Sequence, residues 1–103
     1  MPLFCIHGLD RPDAASVRDE HYAAHRAYLA ASEASGVRIL ASGPLVSGDG
    51  SRMIGSLLIV EADELGTVVA FNAGDPFRKA GLWSSVAIDR FSLRVGSLGA
   101  AAT

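Results

Sequence analysis

The sequence predicts one α+β domain of ferredoxin-like topology, in which an antiparallel sheet of four strands carries both helices on one face. Its 103 residues suit one compact domain, which can bury a core at this size without disulfides or a structural metal. Predicted strands and helices follow the order β-α-β-β-α-β, and right-handed crossovers fold that order into such a sheet. We therefore expect a single domain over residues 1–95 and a flexible tail of small residues over 96–103.

The first strand and the first helix follow from local composition. Residues 3–9 are rich in strand-forming side chains and stop at the turn-favouring residues 10–13, DRPD. Residues 14–35 contain no glycine or proline, are rich in alanine and repeat partly apolar side chains at helical spacing. Gly36 then fits the end of this helix, because glycine adopts positive φ without strain.

The middle of the chain predicts two strands separated by a polar loop. Residues 37–42 form the second strand, which we expect to close at Gly43-Pro44, because proline lacks the N–H of a sheet ladder. Residues 46–51 then form the loop. Residues 53–62, MIGSLLIVEA, contain an apolar run without alternation, which is typical of a strand covered on both faces.

The last third of the chain predicts a weak helix, a short helical turn and a final strand. Residues 63–72 predict a helix capped by Asp63 and weakened by a glycine and several β-branched residues. Asp75-Pro76 predicts another helix start, because aspartate caps exposed N–H groups and proline suits the first helical position. Residues 85–95 form the final strand.

The predicted sheet has one face without helices, and this predicts a homodimer. A central strand that is apolar on both sides cannot leave its second face in water, since large exposed apolar patches are rare on monomers. Pairing two sheets face to face about a two-fold axis covers both at once. The sequence leaves further association of dimers open.

Charge and cysteine content limit the binding partners and the cellular compartment that we expect for the protein. The net charge of −2 gives no large positive field, so we expect neither nucleic acid nor a membrane surface as a partner. Cys5 is the single cysteine and cannot form an internal disulfide, which fits a reducing compartment or is neutral toward the choice of compartment. The chain starts without a signal-peptide pattern and has no run of about 18 apolar residues. We expect a cytoplasmic protein.

Three histidines are candidates for acid/base chemistry, since imidazole exchanges protons near neutral pH. His7 lies on the first strand, where a half-buried strand residue is the simpler interpretation, although strand ends often open into clefts. His21 and His25 share a helix face at a spacing that can chelate a metal, but no recognisable third ligand accompanies them, and we expect no metal. Ordinary helix positions explain both, and capping alone explains Asp75.

Five segments together resemble the YCII-related (YciI-like) domain family. They are LFCIHGLD, HRAYLAAS, ILASGPL, MIGSLLIVEA and DPFRKAGLWSSVAI, which occur in this order over nearly the whole chain. The resemblance implies a dimeric α+β barrel with a pocket in each subunit and a histidine–aspartate pair as the catalytic centre. Carried onto this sequence, the pair is His25 and Asp75. Ser56, Gly43 and Pro44 match positions that line the same pocket.

The resemblance and the chemistry of such a pair predict a small-molecule acid/base enzyme without a cofactor, a lyase or isomerase such as a dehydrochlorinase of aromatic catabolism. A buried carboxylate that accepts the Nδ1–H of imidazole fixes its tautomer and stabilises the imidazolium formed on proton abstraction, so His25 is the base. Ser56 or an N–H near Gly43 polarises the developing oxyanion. The residues expected to contact substrate are Ser56, Gly43, Pro44, His7, Phe77, Leu82 and Trp83.

Two other functions are compatible with the sequence. One is a non-catalytic dimeric protein that binds a small metabolite or serves as an accessory subunit. The other is a structural module in which Asp75 only caps a helix. A hydrogen bond between His25 and Asp75 in a concave apolar pocket favours the enzyme, whereas a solvated His25 far from Asp75 favours the alternatives.

Overall fold

The computed structural model describes residues 1–99, and its helices and strands follow the predicted order. The strands are β1 (Leu3–Asp10), β2 (Arg38–Val46), β3 (Met53–Glu61) and β4 (Trp83–Phe91). The helices are α1 (Ala15–Ala30), α2 (Leu65–Ala73) and the short α3 (Pro76–Lys79), and a 3₁₀ turn (Ser32–Ser35) follows α1. The predicted α+β class with a four-stranded antiparallel sheet is confirmed.

The two central strands of the sheet are β3 and β1. The order across the sheet is β2-β3-β1-β4, and every pair of neighbours is antiparallel. Ile6 of β1 lies opposite Leu58 of β3 on one side and opposite Ile88 of β4 on the other. Because successive side chains of a strand point to opposite faces, this register divides the sheet into a helix side and an open side.

The hydrophobic core lies between the helices and the helix side of the sheet. Its main cluster is formed by the buried residues Phe4, Ile6, Val37, Leu58, Val60, Ala62, Val68 and Phe71. A smaller cluster near α3 contains Ala14, Phe77, Leu82 and Trp83. Full burial of a large apolar side chain contributes roughly 1.5–3 kcal/mol, so these clusters fix the helices on the sheet.

The open side of the sheet is less covered within one chain. Leu58 and Val60 of β3 are buried on the helix side, whereas Leu57 and Ile59 are only half-buried. The expectation that this strand is covered on both faces is therefore met on one face by the chain itself. The other face retains apolar side chains at the centre of the sheet.

The second strand is longer than predicted. It continues through Gly43 and Pro44 to Val46 instead of closing before them. As an edge strand, β2 has one side without a neighbouring strand, and a proline without an N–H is tolerated there. This extension brings Gly43 and Pro44 onto the sheet beside β3.

The helix boundaries also differ from the prediction. The first helix ends at Ala30, and the 3₁₀ turn continues to Gly36, whose φ of 79° is the positive value expected of a terminating glycine. The second begins at Leu65, with Glu64 and not Asp63 at the N-cap position. Within residues 1–99, none of the helices has the length and hydropathy needed to cross a membrane.

The final strand ends at Phe91 instead of residue 95. Phe91 lies opposite Leu3, the first residue of β1, so the neighbouring strand provides no further pairing beyond this point. Of the tail predicted over residues 96–103, residues 96–99 belong to the described part, and 100–103 lie outside the described residues.

The loop between β2 and β3 is organised by Asp49. Its Oδ1 accepts hydrogen bonds from the Ser47 and Ser51 hydroxyls at 2.7 Å and from the Ser51 N–H at 3.0 Å. The Ser51 backbone bond and the two hydroxyl bonds lower the pKa of Asp49 to about 2. The hairpin that this loop closes contributes residues to the site described next.

Candidate active site

His25 and Asp75 lie in contact although 50 residues separate them in the sequence. Nδ1 of His25 is 2.8 Å from Oδ1 of Asp75. Both side chains are buried, with 7% of His25 and 1% of Asp75 exposed. The pair forms where α1 meets the start of α3, so two helices with no direct connection position its members.

The start of α3 fixes the Asp75 carboxylate. Oδ1 of Asp75 accepts a hydrogen bond from the Phe77 N–H at 2.9 Å, and Pro76 occupies the first turn of the helix. This is the capped start that the Asp-Pro dipeptide predicts. The oxygen that caps α3 is therefore the same oxygen that meets His25.

The hydrogen bond to Asp75 determines which nitrogen of the neutral imidazole carries the hydrogen. The carboxylate accepts from the Phe77 N–H, so it acts as an acceptor toward His25 as well, and Nδ1 donates. Nε2 consequently keeps its lone pair. Since His25 lines a cavity, this nitrogen is the ring atom that can accept a proton from a bound molecule.

Aromatic side chains restrain the His25 ring. Phe77 stacks on it, with ring centroids 4.0 Å apart and planes inclined by 14°. Trp83 meets both rings edge-on, with its centroid 6.5 Å from that of His25 and 5.9 Å from that of Phe77. Held by stacking and by the bond at Nδ1, the imidazole has a fixed orientation before any ligand binds.

Tyr28 lies one turn after His25 on α1 and supports the same region. Its hydroxyl donates to the Phe71 carbonyl oxygen at 2.8 Å, and its ring stacks on that of Phe71 at 4.9 Å. Burial and, secondarily, the Asp75 carboxylate raise the pKa of Tyr28. The phenol therefore stays protonated and remains a donor.

Arg18 is a buried cation beside the pair that the sequence analysis missed. Only 5% of the residue is exposed. Its Nε and Nη2 donate to the two oxygens of Asp10 at 2.9 and 2.8 Å, and Nη2 also donates to the Gly55 carbonyl oxygen at 2.8 Å and to Ser56 Oγ at 3.0 Å. The guanidinium carbon lies 5.0 Å from the centroid of the Phe77 ring.

These groups surround a cavity of about 380 Å³ between α1 and the β2–β3 hairpin. This volume lies in the range of small-molecule sites. The wall combines apolar side chains with a few polar groups: Arg18, Tyr22, His25, Arg26, Leu29, Ser42, Gly43, Pro44, Met53, Ser56, Leu58 and Phe77. A concave site with a histidine held by a buried carboxylate meets the condition that favours acid/base chemistry.

The structure brings most of the predicted site residues to this cavity. His25, Ser56, Gly43, Pro44 and Phe77 line it, and Asp75 lies directly behind His25. Leu82 and Trp83 do not form the wall, because both pack in the smaller core cluster behind Phe77. Their contribution is to support the rings that face the cavity.

The other two histidines do not reach the cavity. His7 lies on the open side, opposite Leu57 and Ala87, because its neighbours Ile6 and Gly8 point to the helix side. His21 stands at the surface, its Nε2 3.8 Å from a Glu20 carboxylate oxygen. Within residues 1–99, no group of three or more His, Cys, Asp and Glu side chains is placed to hold a metal.

A helical pattern could have identified the missed residues. Arg18, Tyr22, His25 and Leu29 recur at intervals of three or four along α1, and all four line the cavity together with Arg26, which follows Tyr22 by four residues. Once His25 is chosen as a site residue, this spacing indicates the others. No sequence pattern indicates the contacts of Arg18 with Asp10 and Ser56, because these contacts join α1 to two different strands, β1 and β3.

The chain is similar to a known domain family and to an enzyme of known structure. A family model for the YCII-related domain matches residues 2–92. The chain is similar to the 5-chloro-2-hydroxyhydroquinone dehydrochlorinase TftG from Burkholderia phenoliruptrix AC1100, solved in complex with 2,5-dihydroxybenzoquinone. The identity is 39% and the TM-score 0.78, over 87% of this chain and 93% of that one.

More distant structures share the fold alone. Rv0793 from Mycobacterium tuberculosis is 18% identical with a TM-score of 0.53, over 94% of this chain and 99% of that one. An ethyl tert-butyl ether d (EthD) family protein from Bacillus halodurans C-125 is 19% identical with a TM-score of 0.52, over 89% of this chain and 100% of that one. No curated protein matches the sequence significantly.

Proposed function

The chain belongs to the YCII-related domain family, and we propose that it is a lyase of aromatic catabolism that removes hydrogen chloride from a small hydroxylated ring compound. The observation that carries this proposal is the buried His25–Asp75 hydrogen bond at the wall of a ligand-sized cavity. The similarity to a dehydrochlorinase supports both the enzyme class and the ring-shaped substrate.

In the proposed reaction, His25 acts as the general base. In the keto tautomer of the substrate, one hydroxyl hydrogen has moved to the ring carbon that carries chlorine. Nε2 takes the proton of a second hydroxyl, the O–H electron pair shifts through the ring as a carbonyl forms, and the C–Cl bond breaks with loss of chloride. The elements of HCl leave, so the reaction needs no external oxidant or reductant. Asp75 holds the Nδ1 hydrogen throughout and stabilises the imidazolium that forms.

The surroundings of the base favour this proton transfer. Phe77 and Trp83 exclude water from one side of the imidazole and keep its ring fixed. Ser56 lines the cavity, and we propose that its hydroxyl polarises an oxygen of the substrate. Ser42, Gly43 and Pro44 form the wall on the β2 side, where small side chains limit the space.

The experiment is a chloride-release assay with purified protein and 5-chloro-2-hydroxyhydroquinone. We expect turnover in the natural protein and a loss of about 10²- to 10⁴-fold in kcat for His25→Gln, the usual contribution of a general base. Glutamine fills most of the space of the ring, and circular dichroism checks that the variant is folded.

His21→Gln provides the matched control. It removes a histidine from the same helix, but one at the surface and outside the cavity, and should leave kcat unchanged. An unaltered rate in His25→Gln contradicts the general-base role. Tight binding of the ring compound without chloride release favours the non-catalytic alternative.

We also propose that two copies pair through their open sheet sides. Leu57 and Ile59 leave apolar surface at the centre of this side, and Leu9 is exposed at its margin. Face-to-face pairing would remove that surface from water in both subunits. The cavities, which lie on the helix side, would then remain accessible.

For the location of the protein we propose the cytoplasm. Cys5 is a free, half-buried thiol, and burial together with the Asp89 carboxylate raises its pKa. The protonated thiol reacts slowly, as suits a structural cysteine in a reducing compartment. Fractionation of cells that express the tagged protein tests this location.

A further inference from the structure

The charged side chains in the cavity wall are both cations. Arg18 and Arg26 line it, and among the residues that the structure describes no Asp or Glu does. The two nearby carboxylates are already engaged: Asp10 accepts from Arg18, and Asp75 accepts from His25 and the Phe77 N–H. The wall therefore favours a ligand that carries negative charge.

The Arg18 guanidinium has one N–H group, Nη1, that can donate to a ligand. Nε and Nη2 donate to its acceptors, and Nη1 has no acceptor within residues 1–99. Nη1 is not fully enclosed by the described chain, and Arg18 lines the cavity. A buried arginine held by a carboxylate and a carbonyl, with one N–H group free, is a preorganised anion site.

Ser56 supplies a second donor at the same place. Its Oγ accepts a hydrogen bond from Arg18 Nη2 at 3.0 Å, so the hydroxyl hydrogen is free to donate elsewhere. Ser56 is buried, and it lines the cavity together with Arg18 and His25. Two residues with a hydrogen-bond donor and one with a proton acceptor therefore line the same cavity.

A neighbouring hollow shares Arg18 but differs in charge. It lies on the Asp10 side, and its lining combines the carboxylates of Asp10, Asp13 and Asp19 with the guanidinium groups of Arg11, Arg18 and Arg52. Its charges therefore balance, whereas the wall around His25 contains two arginines and no carboxylate of the described residues. An anionic ligand is thus better matched by the His25 side.

We infer that Arg18 determines specificity, by selecting planar ring compounds that carry an ionised oxygen, such as a phenolate or a hydroxyquinone anion. Arg18 Nη1 and the Ser56 hydroxyl bind that oxygen. The apolar wall of Phe77, Leu58 and Leu29 accepts the ring. This inference rests on the proposed function for the role of His25, which then faces a neighbouring O–H of the bound anion.

The first test compares two ligands on the natural protein. 2,5-Dihydroxybenzoquinone is an acidic compound that is ionised at neutral pH, and its dimethyl ether cannot ionise. By isothermal titration calorimetry at pH 7, we expect the hydroxyquinone to bind about 10- to 100-fold more tightly, as for hydrogen bonds to a charged group. Equal affinity for the two ligands overturns the inference.

The second test assigns the preference to Arg18. The double variant Arg18→Gln/Asp10→Asn removes both charges of the buried pair, so that no carboxylate is left unpaired. We expect the ratio of the two affinities to fall close to one, while the dimethyl ether binds as before. The methyl groups of the ether change its affinity for both proteins by the same factor, and this factor cancels when the two affinity ratios are compared.

Two further variants separate charge from structure. Arg18→Lys keeps the charge but loses the planar fork, and should retain part of the preference for the anion. Arg94→Gln removes one positive charge from an exposed position outside the cavity and should leave the ratio unchanged. An unchanged ratio in the double variant, or an equal loss in Arg94→Gln, contradicts the assignment.

The results distinguish this inference from the proposed function. Chloride release without any preference for the ionised ligand rejects the role of Arg18 and leaves the lyase intact. A preference that depends on Arg18, in a protein that releases no chloride, supports the anion site and rejects the lyase.

Discussion

Tyr28 is a residue whose single hydroxyl connects α1 to the carbonyl end of α2. We predict that Tyr28→Phe lowers the free energy of unfolding by about 1 kcal/mol, because the Phe71 carbonyl loses its donor while the ring stacking remains. Urea denaturation measures the change. Tyr22→Phe, at a position that is 43% exposed on the same helix, should change stability by less than about 0.5 kcal/mol.

The same hydroxyl predicts a dependence on alkaline pH. A group whose pKa is raised by folding contributes stability that is present below its unfolded value, near 10, and is lost as the pH rises through the folded value. The stability advantage of the natural protein over Tyr28→Phe should therefore shrink above about pH 10. A constant difference up to pH 11 contradicts this reasoning.

At the scale of residues, the sequence predicted the pair at the site and missed its cation. His25 and Asp75 were identified through the family resemblance, since capping alone explained the aspartate. Arg18 stands between Val17 and Asp19 in a helix rich in charged residues, a context equally typical of a solvated position. Its burial depends on β1 and β3, which meet it only in the folded chain.

At the scale of elements, the pairing of β1 with β4 leaves no room for a side chain at Gly8. A Cβ atom there would lie 2.8 Å from the Trp83 ring, which is enclosed in the smaller core cluster. We predict that Gly8→Ala destabilises the fold by about 1–3 kcal/mol, the usual cost of overpacking. Thermal and urea denaturation measure the loss.

Gly48→Ala is the control for this substitution. Gly48 lies in the β2–β3 loop, where an added Cβ meets nothing within 4 Å, and its φ is not positive. Its stability should stay within about 0.5 kcal/mol of the natural protein. Equal stability of the two alanine variants contradicts the close approach of Gly8 and Trp83.

The centres of the strands could be predicted from the sequence more accurately than their ends. Apolar composition identified all four strands, because burial on the sheet requires it. The ends depend on neighbours: β4 stops at Phe91 because β1 begins at Leu3, and β2 continues past Pro44 because it is an edge strand. The end of a strand therefore depends on its neighbour in the sheet and cannot be predicted from the sequence of that strand alone.

At the scale of the whole molecule, the predicted dimer can be tested on the open side of the sheet. We expect Ile59→Lys to convert a dimer to a monomer, because pairing would bury its charge among apolar side chains. Val69→Lys, at an apolar position of α2 that is 47% exposed, should leave the dimer intact. Sedimentation equilibrium measures both masses, and a monomeric natural protein rejects the pairing.

The order of elements was enough to predict the topology, because right-handed crossovers leave few alternatives for β-α-β-β-α-β. The homodimer stays a prediction. The position of the cavity was not predictable in detail, since it arises from α1, α3 and the β2–β3 hairpin together. The family resemblance predicted a pocket, but only the structure shows which residues form its wall.

The shared oxygen of Asp75 has a consequence for how this family can diverge. Because one atom both starts α3 and holds the imidazole, replacing the aspartate would harm folding as well as the proposed proton transfer. His25 lies within α1 and caps no helix. Descendants that abandon the chemistry should therefore discard the histidine first and retain the aspartate, so that the histidine is the better marker of a working enzyme.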